Sequence, residues 1–176
     1  MGLYSYNVLP VTLCDYLINL YETDVGNHER VDKQSKPTFT QLNLNKYHAN
    51  VVSNLCNYFS VALDFYKKDV PQANYLPQFK YLEEFRIKKY EVGGQDRFDE
   101  HVDVTDFDSS IRAVAFLFYL NDNDGNTLFP LHNLNIQPVS GRVIVFPPTW
   151  EYPHTGLPPK NDSKYIMSTY IHYGKN

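Results

Sequence analysis

Residues 109–121 read SSIRAVAFLFYLN, and the run from Ile111 to Leu120 inside this stretch decides the fold. Arg112 alone breaks its apolar character, and the rest is largely β-branched or aromatic. Such a run suits a central strand buried on both faces. A strand of that kind needs cover on each side, from a second sheet or from helices.

Both kinds of cover can be read outward from it. Toward the C-terminus lie HNLNIQPV, GRVIVFP and KYIMSTYIHYG, and toward the N-terminus lies FRIKKYEV. All are strand-like, and GGQD, NDNDGN, VSG and PPKNDS separate them as turn signals. NDNDGN has the composition of a calcium loop but not its terminal glutamate or helical flanks, so it reads as a hairpin turn. Before residue 80 the pattern is mixed. LYSYNVL and TFTQLNL alternate like short strands. PVTLCDYLINLYET carries Val11, Leu13, Leu17, Leu20 and Tyr21 near helical spacing, and Pro10 is tolerable in a first turn. HANVVSNLCNYFSVALDFYKK puts Val51, Val52, Leu55, Phe59, Ala62, Leu63 and Tyr66 on one helical face. Residues 23–37 are polar and read as loop. The expectation is a mainly β protein, an antiparallel sandwich or jelly roll, with N-terminal α-helices packed on one sheet. One domain is expected over 1–176, with 1–80 as helical and mixed support and 81–176 as the jelly-roll core.

Composition narrows the function. The chain has 15 Tyr and 11 Phe against one Trp, which leans toward a β-rich core. A net charge of −4 argues against non-specific binding to nucleic acid. Cys14 and Cys56 form no CxxC pair and read as small core residues of a protein in a reducing compartment. No signal peptide opens the chain and no stretch is apolar enough to span a membrane. A soluble, cytoplasmic protein is expected.

Upstream of the central run stands DEHVDVTDF, residues 99–107. If His101 and Asp103 lie on one strand, their side chains share a face and can reach one cation. A third ligand must come from elsewhere. Of the six histidines, His154 stands out, in FPPTWEYPHTGLPP between two strand-like runs. Two histidines and one carboxylate leave coordination positions open, as non-haem Fe(II) oxygenases require. A structural zinc site is instead closed and usually rich in cysteine.

From Phe85 to Tyr173 the chain resembles the prolyl 4-hydroxylase group of Fe(II)/2-oxoglutarate dioxygenases. KKYEVGG, HVD, RAVAFLFYLND, DGNTLFP and PVSGRVIVFP follow in the family's order, then His154, and Lys164 ten residues later. The resemblance implies a double-stranded β-helix of the cupin-like kind, with His101, Asp103 and His154 as iron ligands. It also implies that 2-oxoglutarate chelates the iron through its keto-acid end and buries its far carboxylate. A buried carboxylate is costly unless paired. Lys164 is the expected partner; Lys160 competes but lies in a proline-rich turn. Lys164, Ile166, Ser168 and Tyr170 share parity, so Tyr170 is expected to face the same cavity.

Other roles carry over one residue at a time. Tyr90, Tyr119 and Thr127 match cosubstrate-pocket positions of the family. Arg112 matches an arginine near the target prolyl backbone, or else pairs with Asp106 or Asp108. Phe98 stands where relatives often have tyrosine, and Tyr170 where many have tryptophan. Trp150 either caps the pocket or packs its own loop. The implied activity is hydroxylation of prolyl residues in a peptide or protein with Fe(II), 2-oxoglutarate and O₂, giving succinate and CO₂, with ascorbate as reductant. The alternatives are the same chemistry on a free amino acid or small metabolite, and a non-catalytic binding module on a jelly roll. Compact family members occur in phages and bacteria, an origin that would fit the short segments flanking HVD.

Overall fold

The structure is a computed structural model that describes residues 2–33, 37–76, 81–93 and 95–174. Gly94 of the KKYEVGG turn lies outside the described residues. Twelve strands and three α-helices form among them. In chain order they are β1 (Tyr4–Asn7), α1 (Val11–Thr23), β2 (Glu29–Asp32), β3 (Thr38–Asn43), α2 (Leu44–Tyr47) and α3 (Ala49–Asp69). There follow β4 (Tyr81–Leu82), β5 (Arg86–Tyr90), β6 (Phe98–His101), β7 (Arg112–Tyr119), β8 (Thr127–Phe129), β9 (Leu134–Ile136), β10 (Arg142–Phe146), β11 (His154–Gly156) and β12 (Lys164–His172).

The strands make two antiparallel sheets. The major sheet runs β1-β10-β7-β12-β5-β3-β2, with β4 pairing the end of β12; the minor sheet runs β6-β11-β8-β9. This is the jelly roll that the alternation of runs and turns predicts. Within the 109–121 stretch Ser109–Ile111 forms a 3-10 turn and Arg112–Tyr119 becomes β7, set between β10 and β12. Its Val114, Phe116 and Phe118 turn toward the helices, while Ala115 and Tyr119 turn toward the minor sheet. Two cores result, one on each face of the major sheet. Phe59 of α3 meets Phe116 in the first, their ring centroids 4.5 Å apart. Phe129 and Phe146 meet edge to face in the second, at 5.0 Å.

α3 follows its sequence pattern, burying Val51, Leu55, Phe59, Ala62 and Tyr66. α1 does so with a rotation. Its buried seam is Cys14, Leu17 and Tyr21, and Val11 is 57% exposed. Cys14 is fully buried there as a small apolar residue. Cys14 and Cys56 are both free.

Three local expectations are corrected. Residues 23–37 do not read as loop throughout, because β2 forms within them and pairs Glu29 to Gln41 and Asp32 to Thr38. An edge strand is held by backbone bonds, so β2 can be polar and charged without an apolar pattern. The TFTQLNL strand stops at Asn43, whose side chain accepts the Lys46 N–H at 3.1 Å and caps α2. NDNDGN is not a hairpin turn: it carries the chain from β7 in one sheet to β8 in the other. Its acids serve the protein itself, Asp122 accepting Ser140 N–H and Asp124 accepting Lys160 N–H. The hairpin is β8–β9, turned at Asn133 in the left-handed region, φ 52°. Gly141, at φ +83°, is also required: a Cβ there would stand 2.2 Å from the Leu9 carbonyl oxygen. Its own carbonyl accepts Val8 and Leu9 N–H, joining the chain before α1 to the start of β10.

Candidate metal centre

His101 ends β6 and His154 begins β11, and the two are register partners across the minor sheet. Their rings lie 4.2 Å apart. His101 Nδ1 is 2.8 Å from the Asp99 carbonyl and His154 Nδ1 is 3.1 Å from the Tyr152 carbonyl. A carbonyl only accepts, so both Nδ1 atoms carry the hydrogen and both Nε2 atoms present lone pairs. Each Nε2 lies 3.9 Å from a different oxygen of Asp103. Ligand atoms of His101, Asp103 and His154 all fall within 4.8 Å of one another, the one such group among the described residues. Burial, with His154 adding to it against Asp103, pushes His101 down to about 4, so its ring is neutral at pH 7.

Asp103 is not placed as expected. β6 ends at His101, so the strand parity that pairs positions 101 and 103 does not apply. Instead Asp103 N–H donates to Pro148 O at 3.2 Å, tying the residue to the segment before His154. Tyr170 of β12 donates its hydroxyl to Asp103 Oδ1 at 2.8 Å. The carboxylate is thus held from the major sheet, while both histidines come from the minor one.

The triad opens into a cavity that also includes Tyr90, Thr127, Lys164, Ile166, Ser168 and Tyr170. All four β12 residues of shared parity reach it. Lys164 is 2% exposed. Its Nζ donates to Gly125 O at 2.5 Å and lies 5.6 and 5.9 Å from the Tyr90 and Tyr119 ring centroids. Among the described residues no carboxylate pairs with it, and burial pushes it down to about 7. Gly125 is required here too: a Cβ would meet Leu157 O at 2.8 Å and Lys164 Cδ at 3.2 Å. Tyr119 donates its hydroxyl to Thr127 at 2.8 Å, so it backs the wall that Thr127 lines. Lys160 is exposed on the turn, away from the cavity.

Arg112 has a different ion-pair partner from the one expected, and Trp150 neither caps the pocket nor packs into its loop. Arg112 pairs neither with Asp106 nor with Asp108. Its guanidinium forks onto both Glu83 oxygens at 2.8 Å, donates to Asp103 O at 2.8 Å and stacks 4.1 Å above the Tyr170 ring centre. Burial opposes the Glu83 charge, but Arg112 and His172 hold its carboxyl below the usual range. Arg112 lines the outer cavity. Trp150 is 74% exposed and lines neither cavity. Phe98 stacks on His101 at 3.3 Å between centroids and closes that side of the site.

Two residues escaped the sequence reading. Glu83 gave no local signal, because its three partners come from β5, β7 and β12. Lys88 did give one: it stands two before Tyr90 on β5, so it shares the cavity face.

A profile of the 2OG-Fe(II) oxygenase superfamily matches residues 85–172. The chain belongs to this superfamily, whose chemistry uses Fe(II), 2-oxoglutarate and O₂. Sequence comparison with curated proteins gives no match. Among solved structures, the fold is similar to the viral collagen prolyl hydroxylase of Paramecium bursaria Chlorella virus-1 in its 2-oxoglutarate complex. That similarity has a TM-score of 0.75 at 20% identity, covering 99% of this chain and 97% of that one. A Pseudomonas putida prolyl-4-hydroxylase follows at TM-score 0.71 and 19% identity, covering 99% and 94%. A Trichoplax adhaerens prolyl hydroxylase, solved with a hypoxia-inducible-factor peptide fragment, has TM-score 0.75 and 18% identity, covering 97% and 83%.

The site fits the group that the superfamily uses. Two imidazole lone pairs and one carboxylate converge, and a facial set of that kind suits Fe(II) with positions left open. The buried Lys164 ammonium, lacking a counter-charge, suits the far carboxylate of 2-oxoglutarate. Among the described residues, no helix is long and apolar enough to cross a membrane.

Proposed function

We propose that this protein hydroxylates prolyl residues in a peptide or protein, using Fe(II), 2-oxoglutarate and O₂ and releasing succinate and CO₂. The observation that carries the reading is one cavity holding the His101–Asp103–His154 set and the buried Lys164 amine, which no carboxylate of the described residues pairs. The prolyl preference is supported by the likeness to three prolyl hydroxylase structures. Iron with 2-oxoglutarate supplies, when bound, the oxidising power that inserts oxygen into a C–H bond. His101, Asp103 and His154 hold the iron. Lys164 takes the far carboxylate, with Tyr90, Tyr119 and Thr127 shaping its pocket. Tyr170 orients Asp103 and, with Arg112, faces the entering substrate. Phe98, Phe146 and Ile166 keep water from that centre. This reading gives the exposed Trp150 no task.

The test is mass spectrometry of proline-containing peptides after incubation with the enzyme, Fe(II), ascorbate and 2-oxoglutarate. Gain of one oxygen atom on proline is the expected result. Normal succinate output from a His101→Ala variant would overturn the oxygenase assignment. A second reading keeps the chemistry and changes the substrate to a free amino acid or small metabolite. The segment after Asp103 favours it, because it closes on itself through Ser109 and Asp106 rather than extending as a broad lid.

A further inference from the structure

Among the charged and metal-ligating side chains of the inner cavity, Lys88 is the one to which the proposed reaction gives no task. It lines the inner cavity beside the metal-binding set and also the outer cavity, whose volume is about 540 Å³. That size is within the range of small-molecule sites. On β5, Lys88 is flanked by Gln41 of β3 and Ile166 of β12, whereas Tyr90 is flanked by Lys164. Lys88 and Tyr90 are two positions apart along the strand, roughly 6–7 Å. Lys164 and Tyr90 line the inner cavity alone, so Lys88 stands nearer the mouth.

Asp103 and Glu83 attract its charge and Arg86 and Arg112 repel it, but no acid among the described residues touches it. Glu83 takes Arg112 and His172, Glu84 takes Asn43 and Arg86, Asp103 takes Tyr170, and Asp106 takes Ser109. Asp108 is exposed on its loop. Among the described residues the Lys88 ammonium has no hydrogen bond or ion pair, and its Nζ lies 5.2 Å from the Phe39 ring centre. An ammonium in such a wall is costly unless an anion joins it. On the oxygenase reading 2-oxoglutarate would not supply that anion, because Lys164 would hold its far carboxylate and the His101–Asp103–His154 set would hold the metal to which its other end binds.

We propose that Lys88 determines specificity by binding a carboxylate of the substrate, so that the molecule oxidised carries that group close to the C–H bond presented to the metal. The inference rests on the oxygenase reading above. The carboxylate has two sources: the α-carboxylate of a free amino acid, or an acidic side chain next to the target residue in a peptide.

The experiment measures binding by anaerobic calorimetry to protein loaded with Fe(II) and 2-oxoglutarate. The probes are L-proline against L-prolinamide, and N-acetylated, C-amidated Glu-Pro-Gly against Gln-Pro-Gly. At least one acid-bearing probe is expected to bind about 10–100-fold more tightly than its neutral partner. Which pair shows the difference identifies the source. Lys88→Met should abolish the preference, Lys88→Arg should keep part of it, and both should bind 2-oxoglutarate as the parent does. No preference in the parent, absent binding of both acids, or a preference that survives in Lys88→Met overturns the proposal. Weaker 2-oxoglutarate binding in Lys88→Met overturns it too, making Lys88 a second cosubstrate anchor. Loss of metal-dependent 2-oxoglutarate binding in the parent would instead sink the oxygenase reading.

Discussion

At the scale of single residues, the site depends on partners that fix orientation. The Tyr170 hydroxyl is what turns Asp103 toward the two Nε2 atoms. Tyr170→Phe keeps the ring under Arg112 and removes that bond, so affinity for Co(II) or Fe(II) should fall roughly 10–100-fold in a metal titration. Unchanged affinity would show that the Pro148 contact alone suffices. Lys164 gives a pH signature. It sits at about 7 in the folded protein, well below the ordinary lysine value near 10.4. Between those values the unfolded chain binds the extra proton, so this group makes the ligand-free protein more stable as pH rises through that window. An entering carboxylate reverses the shift. At pH 8, 2-oxoglutarate binding to the metal-loaded protein should therefore take up protons, seen as a binding enthalpy that varies with buffer. Lys164→Met should lose this dependence together with most of the affinity.

At the scale of elements, the two faces of the major sheet have separate duties. α3 covers one face, and the metal cavity occupies the other. Phe59→Ala should cost about 3–5 kcal/mol in denaturant unfolding while leaving metal affinity unchanged. Loss of both would mean that the helix layer also sets the site's geometry. The legibility of the elements follows the same division. Where a strand or helix buries a patterned face, as in β7, β12 and α3, the residues announce it. β2 has no buried face and so no pattern; backbone pairing with β3 and the fork of Arg30 onto the buried Asp96 carboxylate specify it. β6 and β11 are short, and their function lies in placing His101 opposite His154, a cross-strand relation that neither segment contains by itself.

At the scale of the whole molecule, the metal set spans the two sheets. The histidines belong to the minor sheet and Asp103 answers to Tyr170 of the major one. An ion bound there would tie the layers together and stabilise only the folded form. At 100 times its dissociation constant it should add about 2.7 kcal/mol. For a chain of this length that is roughly 5–10 °C in thermal midpoint, removed by a chelator and absent in Asp103→Ala. A midpoint insensitive to chelation would mean that the three side chains do not hold the ion as a set.

By itself the sequence determined the strand-rich architecture, the helix layer, and the His101, Asp103, His154 and Lys164 positions. It could do so because periodicity and motif spacing are local, and because four chemically distinctive residues keep a family's order. The tertiary structure alone decided how they are held. It ended β6 before Asp103 and gave the carboxylate's orientation to a tyrosine 67 residues away. It locked Arg112 to Glu83 across 29 residues and left Lys88 facing the cavity with no carboxylate of the described residues bonded to it. Each of these is a side-chain contact between segments distant in the chain. Their geometry is fixed only when the two sheets close on one another.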